Sequence, residues 1–291
     1  MLVIRILYVI SVFVLLVSCT AENMIVHNAE VKSRAAYLPV HITKPCDTSR
    51  VDASIGISHN KNKNFQLIPD ERLEKGEVTI VNTIIDAHFD YKVDNKIGIF
   101  AGFDGGLTDG KILFGSMLGI GHIEKYDNFA IRYDVGAGFD FRHIDADFSY
   151  NFKWLMGEGR LYDSTRGSSF AWNYFGSVTF NTVRRDNYPT LFLRIAYVNQ
   201  SLFKVTTWDN LAYESEGIRN HNLLISGGVS IDLSPSYYLV IGGNYIYTFA
   251  NKYTNSVNNI LPFIRINYTF NVNDRAKNEI QPQKRKKYYK R

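Results

Sequence analysis

The sequence predicts an all-β protein: a single antiparallel up-and-down transmembrane β-barrel of about ten strands, within a range of roughly 8 to 12, with short turns at one end and long loops at the other. Residues 129–141 alternate without exception. Phe129, Ile131, Tyr133, Val135, Ala137, Phe139 and Phe141 fill the odd positions, while Ala130, Arg132, Asp134, Gly136, Gly138 and Asp140 fill the even ones. A repeat of two is the signature of a strand with unlike faces. Several such stretches run for about eleven residues or more. Soluble strands average roughly five or six, whereas a tilted strand needs about nine to eleven to cross a bilayer. Short and long connections also alternate down the chain, as in a meander whose tight turns gather at one end.

Alternation alone does not say which face meets which solvent. The composition of the minor face does: it is Gly, Ala, Ser and isolated charges, which suits a narrow enclosed lumen better than an open watery surface. Aromatic residues crowd the strand ends, among them Phe170, Trp172, Tyr245, Tyr247 and Phe249, as an interfacial girdle requires. Closure into a barrel then satisfies every backbone amide in hydrocarbon, where an open edge would cost several kcal/mol for each stranded group.

Ten strands are expected at 51–58, 79–93, 97–104, 112–123, 129–141, 170–181, 190–200, 223–233, 237–249 and 264–272. The alternation at 223–233 is broken only by Leu224, and Val240 and Ile246 blur the second face of 237–249. The short connections are 94–96, 124–128, 183–189 and 234–236. The longer ones are 59–78, 105–111, 142–169, 201–222 and 250–261. With 45% hydrophobic and 14% aromatic residues, disorder is excluded.

Ahead of the barrel, Arg5 precedes an apolar run over residues 6–17, too short to span and of the right length for a signal peptide ending at residue 18. Leu16-Val17-Ser18-Cys19 resembles the lipobox of bacterial lipoproteins, which implies acylation at Cys19; ordinary cleavage after Ala21 is the alternative. A lipidated Cys19 leaves Cys46 without a partner, and a bridge between the two would need Cys19 unmodified. Residues 19–49 are expected to form a periplasmic lead-in, 50–272 the barrel and 273–291 a basic tail. That tail holds eight of the 33 Lys and Arg residues and two of the 28 acidic ones. Removing it turns the net charge from +5 to 25 basic against 26 acidic groups. The basic character therefore belongs to an appendage, which is either a solvated end or a contact for anionic headgroups, and nucleic acid is not an expected partner.

With these features in place, the chain resembles bacterial outer-membrane β-barrel proteins. It is most similar to small, uncharacterised barrel lipoproteins in which a segment such as Ala36-Tyr37-Leu38-Pro39-Val40-His41 precedes the barrel. The resemblance implies an outer-membrane location with both termini periplasmic, outer-membrane lipid as surroundings, and the barrel-assembly machinery as a partner reading Ile266, Tyr268 and Phe270 in the last strand. The basic tail is a departure, since such strands usually end the chain. The resemblance implies no activity, and no cofactor or metal is expected. A structural, adhesive or narrow transport role follows.

Inward positions by this register include Arg132, Asp134, Asp140, Arg194, Asp232 and Arg265, a mixed set that forms bracing salt bridges more readily than a conduction path. His88 with Asp86 and Asp90 can join them. Two rival functions are a lipid-anchored soluble β-domain for a small apolar ligand, and an outer-membrane hydrolase using His143 and Asp145 with His221 at the loop end. Nucleophile-elbow, zincin and phosphate-loop motifs are absent. The run 104–110, rich in Asp and Gly, reads as a turn rather than a calcium loop.

Overall fold

A computed structural model of the chain describes residues 20–44, 50–59, 64–69, 73–94, 96–108, 110–154, 157–183, 188–203, 218–252 and 254–271. Cys19, Cys46 and the basic tail lie outside them. Among the described residues the strands are β1 (Thr20–Ser33), β2 (Arg50–His59), β3 (Asn64–Leu67), β4 (Gly76–Ile80), β5 (Thr83–Lys92), β6 (Ile97–Thr108), β7 (Lys111–Lys125), β8 (Phe129–Trp154), β9 (Gly157–Thr182), β10 (Thr190–Phe203), β11 (Ile218–Asp232), β12 (Tyr237–Thr248) and β13 (Val257–Asn271). Ten of these, β2 and β5 to β13, pair antiparallel in a ring, closed by β13 on β2. The ring has no free edge, so the hydrogen-bond demand of a bilayer is met.

The faces divide as the alternation predicts. Ile55, Phe89, Ile99, Leu118, Val135 and Ile266 all stand exposed on the outside, whereas Arg132 and Asp140 have no accessible surface. A soluble domain would bury those apolar rows, so the soluble rival does not fit this arrangement. Aromatic pairs mark both rims: Tyr126 on Phe129 at 4.5 Å between ring centroids and Tyr237 on Tyr268 at 4.8 Å at the short-turn end, Phe114 on Phe141 at 4.7 Å at the other. The strand from Phe129 to Phe141 tilted in a barrel spans roughly 30 Å of height, the thickness of a hydrocarbon core.

Three expectations about the connections are corrected. Segments 105–111 and 142–169 are not open loops: β6 and β7 turn over directly, and β8 and β9 stay paired out to Trp154 and Gly157. Residues 79–93 do not make one strand, because the chain breaks between β4 and β5. Of the stretch 19–49, the described residues 20–44 do not lie outside the barrel as a lead-in. Its residues 20–33 form β1, antiparallel to the protruding part of β8 at the long-loop end, with Lys32 opposite His143 and Thr20 opposite Lys153. Residues 34–44 then run through the lumen to the other end, where β2 begins.

On the free side of β1, β4 pairs parallel and β3 follows antiparallel, and Leu67 of β3 bridges to Thr254 just ahead of β13. These strands form a cap reaching from β8 across the barrel mouth. Under it lies a second apolar cluster of Val26, Ala29, Val31, Val78, Ile144, Ala146 and Phe148. The apolar face of β8 therefore reverses between Phe141 and Ile144. Below that point the odd residues meet hydrocarbon; above it the outer surface is wet and the even residues pack under the cap.

Inside the barrel, large rings lie over glycines of neighbouring strands. A Cβ on Gly119 would strike the Phe100 ring, and one on Gly136 would lie 2.5 Å from the Phe175 ring and would also strike the Leu118 carbonyl. Glycine is required there by close approach, with no unusual backbone angle. Gly136→Val should therefore lower barrel stability by about 1–3 kcal/mol, as overpacking does. The outward Val135→Ala should cost less in detergent. Urea titrations of the folded, fast-migrating gel band would compare the two.

Candidate functional site

The lumen is occupied by the chain itself. Arg34 enters at the long-loop end, where its Nη1 donates to both carboxylate oxygens of Asp104 at 2.6 Å and its Nε donates to Asp140. Asp140 also accepts from Arg142 Nη2 and Gln200 Nε2, each at 3.0 Å. Further in, the Tyr37 hydroxyl donates to Asp86 at 2.7 Å, and Arg265 donates to Asp86 at 2.9 Å and to Tyr37. Arg194 has no carboxylate partner among the described residues and donates instead to the Leu38 carbonyl at 2.9 Å, the Pro39 carbonyl, Ser226 and Asn244. Near the short turns, Asn181 exchanges hydrogen bonds with the Thr43 backbone, Lys92 reaches the Ile42 carbonyl, and Lys44 meets Asp232.

Apolar contacts complete the fit. Ala35, Ala36, Tyr37 and Leu38 pack with Phe100, Met117, Phe175, Leu224 and Ile246, while Val40 and Ile42 pack with Phe192, Tyr238, Val240 and Phe263. Leu224, Val240 and Ile246, which break the alternation of their strands, are thus the residues that receive the threaded segment. The hollow between Arg34, Gln200, Asn222 and Ile246 is about 30 Å³.

Of the residues expected to face inward, Arg132, Asp134, Asp140, Arg194 and Arg265 are buried in the lumen, and Asp232 is half exposed at its short-turn end. Arg132 donates to Asp90 at 2.6 and 3.0 Å and to Asp134 at 2.6 Å. His88 lies 2.9 Å from Asp86. Asp104, in the run read as a turn, lies on β6 and is taken by Arg34.

The loop-end trio is not brought together. His143 and Asp145 share the outer face of β8, where Asp145 pairs with Arg166 at 3.2 Å. Partial burial, with the Lys111 and Lys32 ammonium groups nearby, holds the His143 imidazole below its ordinary pKa. His221 stands on β11, with β9 and β10 between it and β8, and its ring takes the Tyr197 hydroxyl and Asn199 at 3.3 Å.

The cap carries a different polar cluster. His27 sits at the bulge where β1 slips against β8 between Val26 and Asn28. Its Nδ1 lies 2.8 Å from Glu74 Oε2 and its Nε2 2.9 Å from Ser149 Oγ, while Arg160 Nε donates to the same hydroxyl at 3.0 Å. The Tyr162 ring stacks on His27 with centroids 5.7 Å apart. None of these residues is singled out by a motif; they come from four separate segments and meet through the pairing of β1 with β8 and β4 and of β8 with β9.

No protein-family model matches the chain, and no curated protein matches it either. Similar folds occur among solved structures. The outer membrane protease OmpT from Escherichia coli aligns over 77% of this chain and 97% of its own, at 12% identity and a TM-score of 0.40. The translocator domain of the autotransporter NalP from Neisseria meningitidis covers 77% and 88% at 9% identity and 0.37. LpxR from Salmonella typhimurium covers 74% and 99% at 6% identity and 0.33. The likeness goes no further than the fold, a closed antiparallel β-barrel. The resemblance to barrel lipoproteins has no counterpart among them.

Asp140 is the acceptor that ties the threaded segment to β8 and β10. Asp140→Ala leaves Arg34 and Arg142 with a lost buried partner, and a loss of about 3–5 kcal/mol is expected. Denaturant midpoints for that variant and for the exposed Asp145→Ala, which should stay within about 0.5 kcal/mol of the parent, would check the assignment.

Proposed function

We propose that this chain is an outer-membrane protein whose barrel is a sealed anchor for its cap, with a structural or adhesive role at the cell surface rather than a transport one. The observation that carries this reading is the passage of residues 34–44 down the lumen, with Arg34, Tyr37 and the carbonyls of Leu38 and Pro39 bonded to strands all round the ring. An ion crossing here would have to displace the protein's own backbone. Short turns toward the periplasm and the cap outward is the orientation in keeping with barrels of this kind. In that orientation β1 lies on the surface side. The outward Ile266, Tyr268 and Phe270 of β13 suit recognition by the barrel-assembly machinery and contact with outer-membrane lipid.

The test is conductance in planar bilayers. The intact protein should give no discrete steps at any voltage, and a double Arg34→Ala, Arg194→Ala variant, which loosens the segment at two heights, should give transient openings. Steady single-channel steps from the intact chain would replace the sealed anchor with a narrow pore.

A further inference from the structure

We propose that Ser149, His27 and Glu74 form a hydrolytic triad on the outer face of the cap, acting on carboxylic esters of soluble or surface-displayed molecules. A carboxylate at neutral pH only accepts hydrogen bonds, so the 2.8 Å contact with Glu74 fixes the His27 proton on Nδ1. His27 Nε2 is then a free lone pair, and the only hydrogen it can take at 2.9 Å is the Ser149 hydroxyl hydrogen. Arg160 has no lone pair to offer and donates to Ser149 Oγ, which agrees with a hydroxyl whose own hydrogen points at histidine. Nucleophile, base and orienting carboxylate thus stand in order with the tautomer that such catalysis needs.

The base is fixed in place. It sits at a β-bulge, a device that re-aims a side chain, and the Tyr162 ring stacks on it at 28° from parallel. Glu74 is held by its own backbone N–H, which donates to the Val26 carbonyl at 2.8 Å. Ser149 itself is covered, with no accessible surface. Arg160, whose guanidinium donates to this hydroxyl, covers it on one side and is itself exposed; Tyr162, opposite Ser149 on β9, is 67% exposed. Substrate reaches the hydroxyl when the Arg160 side chain swings toward the substrate carbonyl, and the guanidinium then donates to the oxygen on which negative charge develops.

The bonds balance without a cofactor. Ser149 Oγ bonds to the acyl carbon as its proton passes to His27 Nε2. The ester C–O bond then breaks, and the departing alcohol takes that proton. Water, deprotonated by His27, attacks the acyl-serine, and collapse returns the proton to Ser149 and releases the acid. The site's position narrows the substrate: Ser149 stands roughly 26 Å of strand beyond Phe141 at the membrane rim. Glycerophospholipid esters within the bilayer cannot reach it.

The experiment uses the full chain in detergent, with gel mobility before boiling as the control for folding. A fluorophosphonate probe should label Ser149, located by peptide mass spectrometry, and p-nitrophenyl acetate should be hydrolysed above background. Ser149→Ala should abolish both. His27→Gln should lower turnover on the order of 10²- to 10⁴-fold. Glu74→Gln, a change at a positioning residue, should lower kcat with KM held and shift the acid limb of the pH profile. Phospholipid in proteoliposomes should stay intact; its cleavage in place of the soluble ester would overturn the substrate class. If Ser149→Ala does not fold, the site of labelling in the parent and its loss in His27→Gln decide the matter. Absence of labelling in both the parent and Arg160→Ala, where the cover is gone, would overturn the proposal, as would labelling at another serine.

Discussion

The structure depends on a strand having two faces that must each match a solvent, and on that solvent changing partway along β8. From Phe129 to Phe141 the outer face meets hydrocarbon and the inner face an ionic lumen. From His143 onward the outer face carries His143, Asp145, Asp147 and Ser149, while Ile144, Ala146 and Phe148 bury against β1 and β4. One continuous strand thus serves a membrane barrel and then an ordinary sheet with an apolar core. A fully buried aliphatic or aromatic side chain contributes about 1.5–3 kcal/mol, so neither half could keep the other's polarity without losing several such terms.

The ionic lumen would be a poor interior if it stood empty. Arginines and aspartates on a ten-stranded ring are too far apart to pair everywhere across the axis, and an unpaired buried charge is costly. The threaded segment supplies what the strands lack. Arg34 brings a cation between Asp104 and Asp140, Tyr37 bridges Asp86 and Arg265, and the carbonyls of Leu38 and Pro39 receive Arg194. Pro39 has no N–H that would need a partner of its own. The small Ala35 and Ala36 pass where Phe100, Phe175, Leu224 and Ile246 converge.

All ten ring strands were legible in the sequence as period-two stretches, because hydrocarbon on one side and a confined lumen on the other leave a strong alternation. The cap was not. Its strands β3 and β4 are of four and five residues, too short for a periodic signal. Residues 143–154 carry alternation in the opposite phase, which a search for apolar odd positions discards. The threaded segment looks extended and apolar with nothing to mark it as internal, although Leu224, Val240 and Ile246 hinted at it by being apolar where the lumen should be polar. His143 and Asp145, two residues apart, stand on one face of β8 and apart from His221. His27, Glu74 and Ser149 were out of reach, because their meeting depends on β1 folding back along β8 and on a single-residue slip in that register.

Threading also constrains how the molecule is made. Residues 20–33 lie beyond one end of the ring and β2 starts at the other, so the chain enters the barrel at its long-loop end and leaves it at the short-turn end. A finished barrel of ten strands, with Phe100, Phe175, Phe192 and Phe263 projecting inward, leaves no passage for a strand carrying His27 and Arg34. The ring must therefore close around the segment, and the closing seam is β13 on β2, the last ring strand on the first. The segment bonds to β5, β6, β8, β10 and β13, so sealing of the lumen and closure of that seam are one event.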